Sequence, residues 1–177
     1  AGDRPNIILI TTDGWRSGLT GFEGHPLIKT PHLDALAARG VHFTRCYTPI
    51  PQYAPSQASV LTGQYPHTHG AINDGTALAP NTDTFTSRLK NAGYACGLIG
   101  RWAVDNQKVK EPGFGLVDFV ATDDPEWSWT ESPAWLQGVS VKTDKFLTDW
   151  HCDRAVEFID RYQEGKFFLW LGLQGPW

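Results

Sequence analysis

Apolar runs of strand length alternate with helical patterns along this 177-residue chain. The run "NIILITT" is typical of a buried strand and ends at Asp13-Gly14. Helical patterns such as "TPHLDALAARG" begin at a capping residue and end at glycine. The longest of them, "TDKFLTDWHCDRAVEFIDRYQEG", leads into the apolar run "KFFLWLGL". This alternation predicts an α/β fold with a mainly parallel sheet and helices on both faces.

The same patterns predict where the elements lie. We expect strands at Asn6–Thr11, Val41–Tyr47, Tyr94–Ile99 and Phe167–Leu173, and helices at Pro31–Arg39, Pro55–Thr62, Thr84–Asn91 and Thr143–Tyr162. Residues from about Asp105 to Val141 are rich in Pro, Gly, Trp and acidic residues. This composition predicts an irregular excursion over the surface.

Charge and hydropathy argue against two classes of partner. The formal net charge is -4, so the chain offers no basic surface that would hold nucleic acid by its phosphates. No apolar run approaches the ~18 residues of a membrane-spanning helix. We therefore expect no nucleic-acid partner and no membrane span.

Two positions can carry chemistry. Asp13 ends the first strand, where ligand groups gather in a doubly wound sheet, so it is either a metal ligand or the aspartate of a tight turn. Tyr53 stands where a loop becomes a helix, and backbone N–H groups at a helix N-terminus favour an anionic group. Its hydroxyl is therefore either a nucleophile or part of the structural surroundings of the site.

Several segments, in order, resemble the N-terminal part of the sulfatase family within the alkaline phosphatase superfamily. They are "RPNIILITTDGWRSG", "IKTPHLDALAARGVHFTRCYT", "APSQASVLTGQYPHTHGA", "GYACGLIGRW" and "AVEFIDRYQEGKFFLWLGLQGP". The resemblance implies a sulfatase-like α/β fold of which residues 1–177 form the N-terminal portion, without its C-terminal part. It implies more polypeptide beyond Trp177 and a sheet with an apolar face or edge left open.

The nucleophile position departs from the sulfatase pattern. Sulfatases carry Cys-x-Pro-Ser-Arg, whose Cys becomes formylglycine. When Pro55 and Ser56 are aligned with that motif, Tyr53 falls at the Cys and Gln57 at the Arg. Tyrosine cannot become formylglycine, so the resemblance implies a site without that group.

Other family positions also differ. The family's Gly-Lys-Trp-His segment lines the sulfate site, and here it reads Gly100-Arg101-Trp102-Ala103. Arg101 keeps a positive charge that can hold an anion, although arginine and lysine are not interchangeable. A Pro-His pair in the family corresponds to Pro176-Trp177.

A second branch of the superfamily shares two of these features. Nucleotide pyrophosphatase/phosphodiesterases resemble "TDGWR", because their first metal-binding Asp is followed by Gly, an aromatic residue and Arg. Their nucleophile is a Thr hydroxyl two residues before a Pro, which corresponds to Tyr53 before Pro55.

The resemblance therefore implies a metal-dependent hydrolase of a sulfate or phosphate ester on a small molecule or carbohydrate. The alternatives are a catalytically silent homologue that binds a ligand, and a phosphodiesterase-like hydrolase with a hydroxyl nucleophile. The expected catalytic residues are Tyr53, Gln57 and Arg101; Arg101 and Trp102 would bind substrate, and Asp13 would bind the metal. The metal would be Ca²⁺ in a sulfatase-like site and Zn²⁺ or Mn²⁺ in a phosphodiesterase-like one. An exported location, periplasmic, secreted or lysosome-like, is also implied.

Overall fold

The computed structural model describes residues 4–104, 114–122, 133–137 and 139–175. Its strands are β1 (Ile7–Thr12), β2 (Ala95–Arg101), β3 (Asp118–Thr122), β4 (Pro133–Leu136), β5 (Val139–Lys142) and β6 (Phe167–Leu173). Its helices are α1 (Pro31–Ala37), α2 (Tyr53–Thr62), α3 (Pro66–His69), α4 (Phe85–Asn91) and α5 (Leu147–Tyr162).

One mixed sheet organises these elements. Its strand order is β1-β6-β2-β3-β4-β5. The first four strands in that order are parallel, and β4 and β5 extend the sheet with antiparallel pairs. β6 therefore lies between β1 and β2 although it comes last in the sequence, and the carboxyl ends of these three strands meet at one edge of the sheet.

Alternate side chains of β6 build a core on each face of the sheet. Phe168 and Trp170 belong to a buried cluster with residues of α2 and β2. Phe167, Leu169 and Leu171 belong to a second cluster with residues of β3 and α5. Because successive side chains of a strand point to opposite faces, a strand covered on both sides reads as one continuous apolar run. This arrangement confirms the predicted α/β fold with helices on both faces.

Gly97 in β2 lies directly beneath the Phe158 ring of α5. A Cβ atom at this position would lie 2.3 Å from the Phe158 ring, well inside van der Waals contact. The missing side chain therefore lets Phe158 of α5 pack directly on the strand.

Three of the four predicted strands and all four predicted helices are confirmed within a few residues. The predicted strand Val41–Tyr47 is wrong: the segment is irregular, and Val41, Phe43 and Tyr47 are 78%, 77% and 84% exposed. Its alternating apolar residues fit a strand, but a strand forms only where a neighbour pairs with its backbone and a core covers one face. Within the described residues nothing covers these side chains.

The predicted irregular excursion over residues 105–141 is wrong in part. β3, β4 and the first residues of β5 fall inside it and extend the sheet. Short antiparallel strands give a weak sequence signal, because each contributes only two or three side chains to a face. Residues 105–113, 123–132 and 138 lie outside the described part of the chain, so the prediction for them is untested.

β1 differs from the fully buried strand that its sequence predicts. It is an edge strand that pairs with β6 on one side, and Ile8 and Ile10 are 49% and 56% exposed. An apolar edge strand of this kind is rarely left open in a folded protein.

Among the described residues, no helix combines the length and apolarity needed to cross a membrane.

The buried imidazole of His151 makes fold stability depend on pH. His151 on α5 is 0% exposed, and neither ring nitrogen has a hydrogen-bond partner. Burial lowers its pKa from the ordinary 6.5 to about 4. The unfolded chain therefore binds a proton more readily than the folded one, and stability present above pH 6.5 is lost as the pH falls from there toward about 4.

We expect the free energy of unfolding to fall by about 3 kcal/mol over this range because of His151 alone. The variant His151→Leu should lose less stability on acidification than the parent. Urea unfolding at a series of pH values measures the difference, with the exposed His32→Gln as the matched control. Equal pH dependence in the parent and in His151→Leu would contradict the assignment.

Candidate functional site

Asp13 is fixed immediately beyond β1. Its backbone N–H donates to the carbonyl of Leu173 at the end of β6 (3.0 Å). Gly14 follows with φ +73°, a left-handed conformation that glycine adopts readily. The Asp13 carboxylate thereby lies at the carboxyl end of the sheet, where strand topology places ligand groups.

Tyr53 is the first residue of α2, as predicted for the nucleophile position. The helix end is already partly occupied, because the N–H of Ala54 donates to the carboxylate of Asp74 (2.9 Å). Pro55 has no N–H to offer, and the N–H of Ser56 bonds within the helix to Gln52. Little of the expected backbone anion site remains, and sequence reasoning missed Asp74 because "NDG" resembles an ordinary turn.

Arg101, the last residue of β2, connects the other site residues. Its Nη1 forms an ion pair with Oδ2 of Asp13, and its guanidinium lies 4.0 Å from the centre of the Tyr53 ring. Both charged side chains are partly buried, at 19% and 22% exposure. A guanidinium stacked on an aromatic face and paired with a carboxylate is held in one orientation.

The main chain of Arg101 is held as firmly as its side chain. The Tyr53 hydroxyl and Nε2 of Gln57 both donate to the Arg101 carbonyl, each at 3.2 Å. Oε1 of Gln57 accepts from the N–H of Ala103 (2.8 Å). The buried Gln57 amide therefore spans the first residues beyond β2 and positions the arginine.

Gly100 allows β2 and β6 to approach each other beneath the site. It has φ +118°, and a Cβ there would lie 1.8 Å from the carbonyl oxygen of Gly172. No other residue type fits both the backbone conformation and the space. The placement of Arg101 depends on this contact.

Ser59 and His69 form a second polar pair, which cannot act as a nucleophile and its base. Nε2 of His69 lies 3.0 Å from the Ser59 hydroxyl oxygen, while Nδ1 accepts from the N–H of Ala71 (3.2 Å). Burial lowers the pKa of His69 and keeps the ring neutral. With Nδ1 accepting, the single ring proton is on Nε2 and is donated to Ser59. The pair is structural and ties α3 to α2.

Comparison with known proteins decides the family. A sequence model of the sulfatase family matches residues 5–176. The chain belongs to the sulfatase family.

Curated sulfatases of defined specificity are among the relatives. An N-acetylglucosamine-6-O-sulfatase of Bacteroides thetaiotaomicron is 29% identical over 169 residues, which is 95% of this chain and 30% of that protein. An ulvan-active sulfatase of Formosa agariphila is 39% identical over 59% of this chain and 20% of its own length. The chain thus spans about a third or less of these sulfatases.

A solved structure agrees with this assignment. A protein in complex with its substrate D-glucosamine-2-N,6-O-disulfate superposes with a TM-score of 0.87 and 26% identity, over 97% of this chain and 34% of that one. The fold is therefore the alkaline phosphatase-like fold of sulfatases.

The expected metal site finds limited support in the described residues. No three His, Cys, Asp or Glu side chains among them come together as a metal site. The one expected metal ligand, Asp13, is paired with Arg101. Ca²⁺ takes about six to eight oxygen ligands, so this donor set does not fit a metal by itself.

Trp102, the other expected substrate contact, packs against the core. It is partly buried against the cluster that α2 and β2 share, and its ring lies 5.9 Å from that of Phe114. Its role as a substrate contact stays a prediction, as do the catalytic roles of Tyr53, Gln57 and Arg101.

Removing the Gln57 amide should destabilise the fold of this sulfatase-family chain. Gln57→Leu keeps the size of the side chain but leaves the Ala103 N–H without its acceptor and removes one donor to the Arg101 carbonyl. We expect a loss of about 2 kcal/mol in the free energy of unfolding, measured by chemical denaturation. The exposed Gln64→Leu should change it by less than about 0.5 kcal/mol. Equal effects of the two substitutions would show that the Gln57 amide does not anchor the site.

Proposed function

We propose that this chain is the N-terminal part of a hydrolase that acts on a sulfate or phosphate ester without formylglycine. The observation that carries the proposal is the position of Arg101, whose guanidinium joins Asp13 at the end of β1 to Tyr53 at the start of α2. A planar guanidinium matches two oxygens of a sulfate or phosphate group. The family supports the reaction class, and the names of the relatives support a carbohydrate ester as substrate.

In this proposal Arg101 binds the nonbridging oxygens of the ester and balances their charge. Asp13 and the Tyr53 ring orient the guanidinium, and Gln57 fixes its main chain. Tyr53 at the helix start supplies the attacking oxygen: its proton passes to Asp13, a bond forms between Oη and the sulfur or phosphorus, and the ester alcohol leaves and takes up a proton from water.

The proposed cofactor is a divalent metal that takes Asp13 as one of its ligands. It would be Ca²⁺ in a sulfatase-like site, or Zn²⁺ or Mn²⁺ in a phosphodiesterase-like one. Such an ion polarises the ester oxygens when bound. Its remaining ligands would come from outside the described residues, and Asp13 would have to exchange Arg101 for the metal.

A catalytically silent, ligand-binding homologue is the second candidate. It is favoured by the contacts of the proposed nucleophile, because the Tyr53 hydroxyl donates a hydrogen bond to the Arg101 carbonyl (3.2 Å). In that hydrogen bond the hydroxyl acts as a donor, a role that a phenolate cannot take. Phosphodiesterase-like hydrolysis remains a third candidate, supported by Asp13-Gly14 and by a hydroxyl at position 53.

Further polypeptide is part of this proposal. β1 presents an open apolar edge, and Ile8 and Ile10 on it are exposed, as are Val41 and Phe43 of the segment that was expected to be a strand. The matched sulfatases are about three times as long or more. We propose that additional chain covers these residues, and that the protein is exported, as the family resemblance implies.

Binding of inorganic sulfate tests the role of Arg101 without requiring turnover. In the complete protein, Arg101→Gln should weaken sulfate binding at least about tenfold by calorimetry, because the guanidinium and its charge are lost. Arg101→Lys should bind sulfate more weakly than the parent and more tightly than Arg101→Gln. Arg88, which forms an exposed ion pair with Asp83, gives the control Arg88→Gln. Unchanged sulfate affinity in Arg101→Gln would refute the proposed site.

Substitution of Tyr53 distinguishes the candidates. Mass spectrometry of the complete protein should find no formylglycine. If Tyr53 is the nucleophile, Tyr53→Phe should abolish turnover of sulfate and phosphate monoesters and diesters assayed with added Ca²⁺, Zn²⁺ or Mn²⁺. Robust sulfatase turnover that survives Tyr53→Phe would exclude the nucleophile. Binding without turnover in either form would support the silent homologue.

A further inference from the structure

A groove lies beside the second half of α2. Its described lining includes Tyr47, Thr48, Ser59, Val60, Gln64 and Tyr65. The last turns of α2 and the residues just after it supply one part of this lining, and the segment before α2 supplies the other. Among the described residues that line the groove, neither Tyr53 nor Arg101 is included. The groove is therefore separate from the candidate site at the start of the same helix.

Hydrogen bonds fix the segment before α2 against the helix. The Thr48 hydroxyl donates to the carbonyl of Ile50 (2.9 Å) and lies 3.0 Å from the Ser56 hydroxyl. Since the Thr48 proton is already donated, Ser56 is the donor between the two hydroxyls. This contact joins the segment to the first turn of α2, so the groove is formed before any ligand binds.

Ser59 has a hydroxyl proton to offer in this groove. The residue is 7% exposed, and its oxygen accepts from Nε2 of His69 (3.0 Å). Accepting that hydrogen bond leaves the serine its own proton to donate, and no acceptor for it is found in the described part of the chain. A buried hydroxyl without an acceptor costs free energy, which the oxygen of a ligand can recover.

Two tyrosine rings in the same groove are open to solvent. Tyr65 is 65% exposed, and Tyr47 is more exposed still. The Tyr65 ring stacks on that of His67, with 5.8 Å between the ring centres and 8° between the planes. This contact orients the ring and covers only one of its faces. The face of an aromatic ring carries partial negative charge and attracts the C–H bonds of a sugar ring.

The chemistry of the lining selects an uncharged ligand. No described lining residue carries a formal charge, whereas hydroxyl and amide groups both donate and accept hydrogen bonds. Sugar hydroxyls have the same two roles and therefore pair well with such a lining. The volume of the groove is about 460 Å³, within the range of about 300–1,000 Å³ of ordinary ligand pockets. A sulfate or phosphate group would meet no countercharge there.

We propose that this groove binds a neutral disaccharide with equatorial hydroxyls, with a ring face against Tyr65 and one hydroxyl oxygen accepting from Ser59. Equatorial hydroxyls leave both faces of a sugar ring apolar, which suits an aromatic face. The proposal does not depend on the hydrolase proposed above, because the two sites share no residue. It gives the chain a second ligand site, which holds a saccharide without acting on it.

Cellobiose is the probe for this groove, and sorbitol, which has hydroxyls but no ring, is its counterpart. In the complete protein, calorimetry should show saturable cellobiose binding, at least about tenfold tighter than that of sorbitol. Tyr65→Ala removes the exposed ring and should weaken cellobiose binding about tenfold. Tyr65→Phe keeps the ring and should bind nearly as the parent does.

A second pair of variants keeps the test decisive if Tyr65→Ala fails to fold. Gln64→Leu removes an exposed amide from the lining and should weaken cellobiose binding about threefold. Gln163→Leu, at an exposed glutamine that ends α5, is the matched control and should bind as the parent does.

Absence of saturable cellobiose binding to the parent, as when further polypeptide fills the groove, would overturn the proposal. So would parental affinity in both Tyr65→Ala and Gln64→Leu. Loss of cellobiose binding in Arg101→Gln would also overturn it, since the probe would then occupy the candidate site at the start of α2.

Discussion

The burial of β6 on both faces and both edges is the constraint on which the rest of the structure depends. β6 pairs with β1 on one side and β2 on the other, and its side chains enter both core clusters. Its carboxyl end also holds Asp13 through Leu173 and meets Gly100 through Gly172. The strand that forms the centre of the hydrophobic core thus sets the spacing of the two strand ends that carry the site.

The sequence predicts this centre well because its signal is local and strong. The run Phe167–Leu173 is apolar at nearly every position, and only a strand buried on both faces calls for such a run. Residues Val41–Tyr47 show the limit of the same reasoning. Their alternation describes a strand faithfully, but whether a strand forms depends on a partner elsewhere in the fold, which a local pattern does not contain.

The candidate site is likewise predictable from the sequence only in part. Strand ends and a helix start predict that Asp13, Tyr53, Gln57 and Arg101 come together, since topology alone brings those positions to one edge of the sheet. The contacts themselves are set by side-chain geometry that sequence spacing does not encode. The ion pair of Arg101 with Asp13 and the occupation of the helix start by Asp74 are of this kind.

The charges of the site are balanced before any ligand arrives. Asp13 neutralises much of the field of Arg101, and the pair is only partly exposed to water. An anion or a cation that approached the site would meet a pre-formed ion pair and would have to replace one of its members or share it. Selectivity among ions would then depend on how strongly each ion binds Arg101 or Asp13, and not on the net charge of the site.

Gly100 is a position at which the site tolerates no larger residue. The side chains of Arg101 and Asp13 are partly exposed, so a replacement there need not disturb the pairing of β2 with β6. At Gly100 itself a single added carbon would collide with the neighbouring strand. The backbone contact at Gly100 therefore constrains the shape of this edge of the sheet more strongly than the partly exposed side chains above it do.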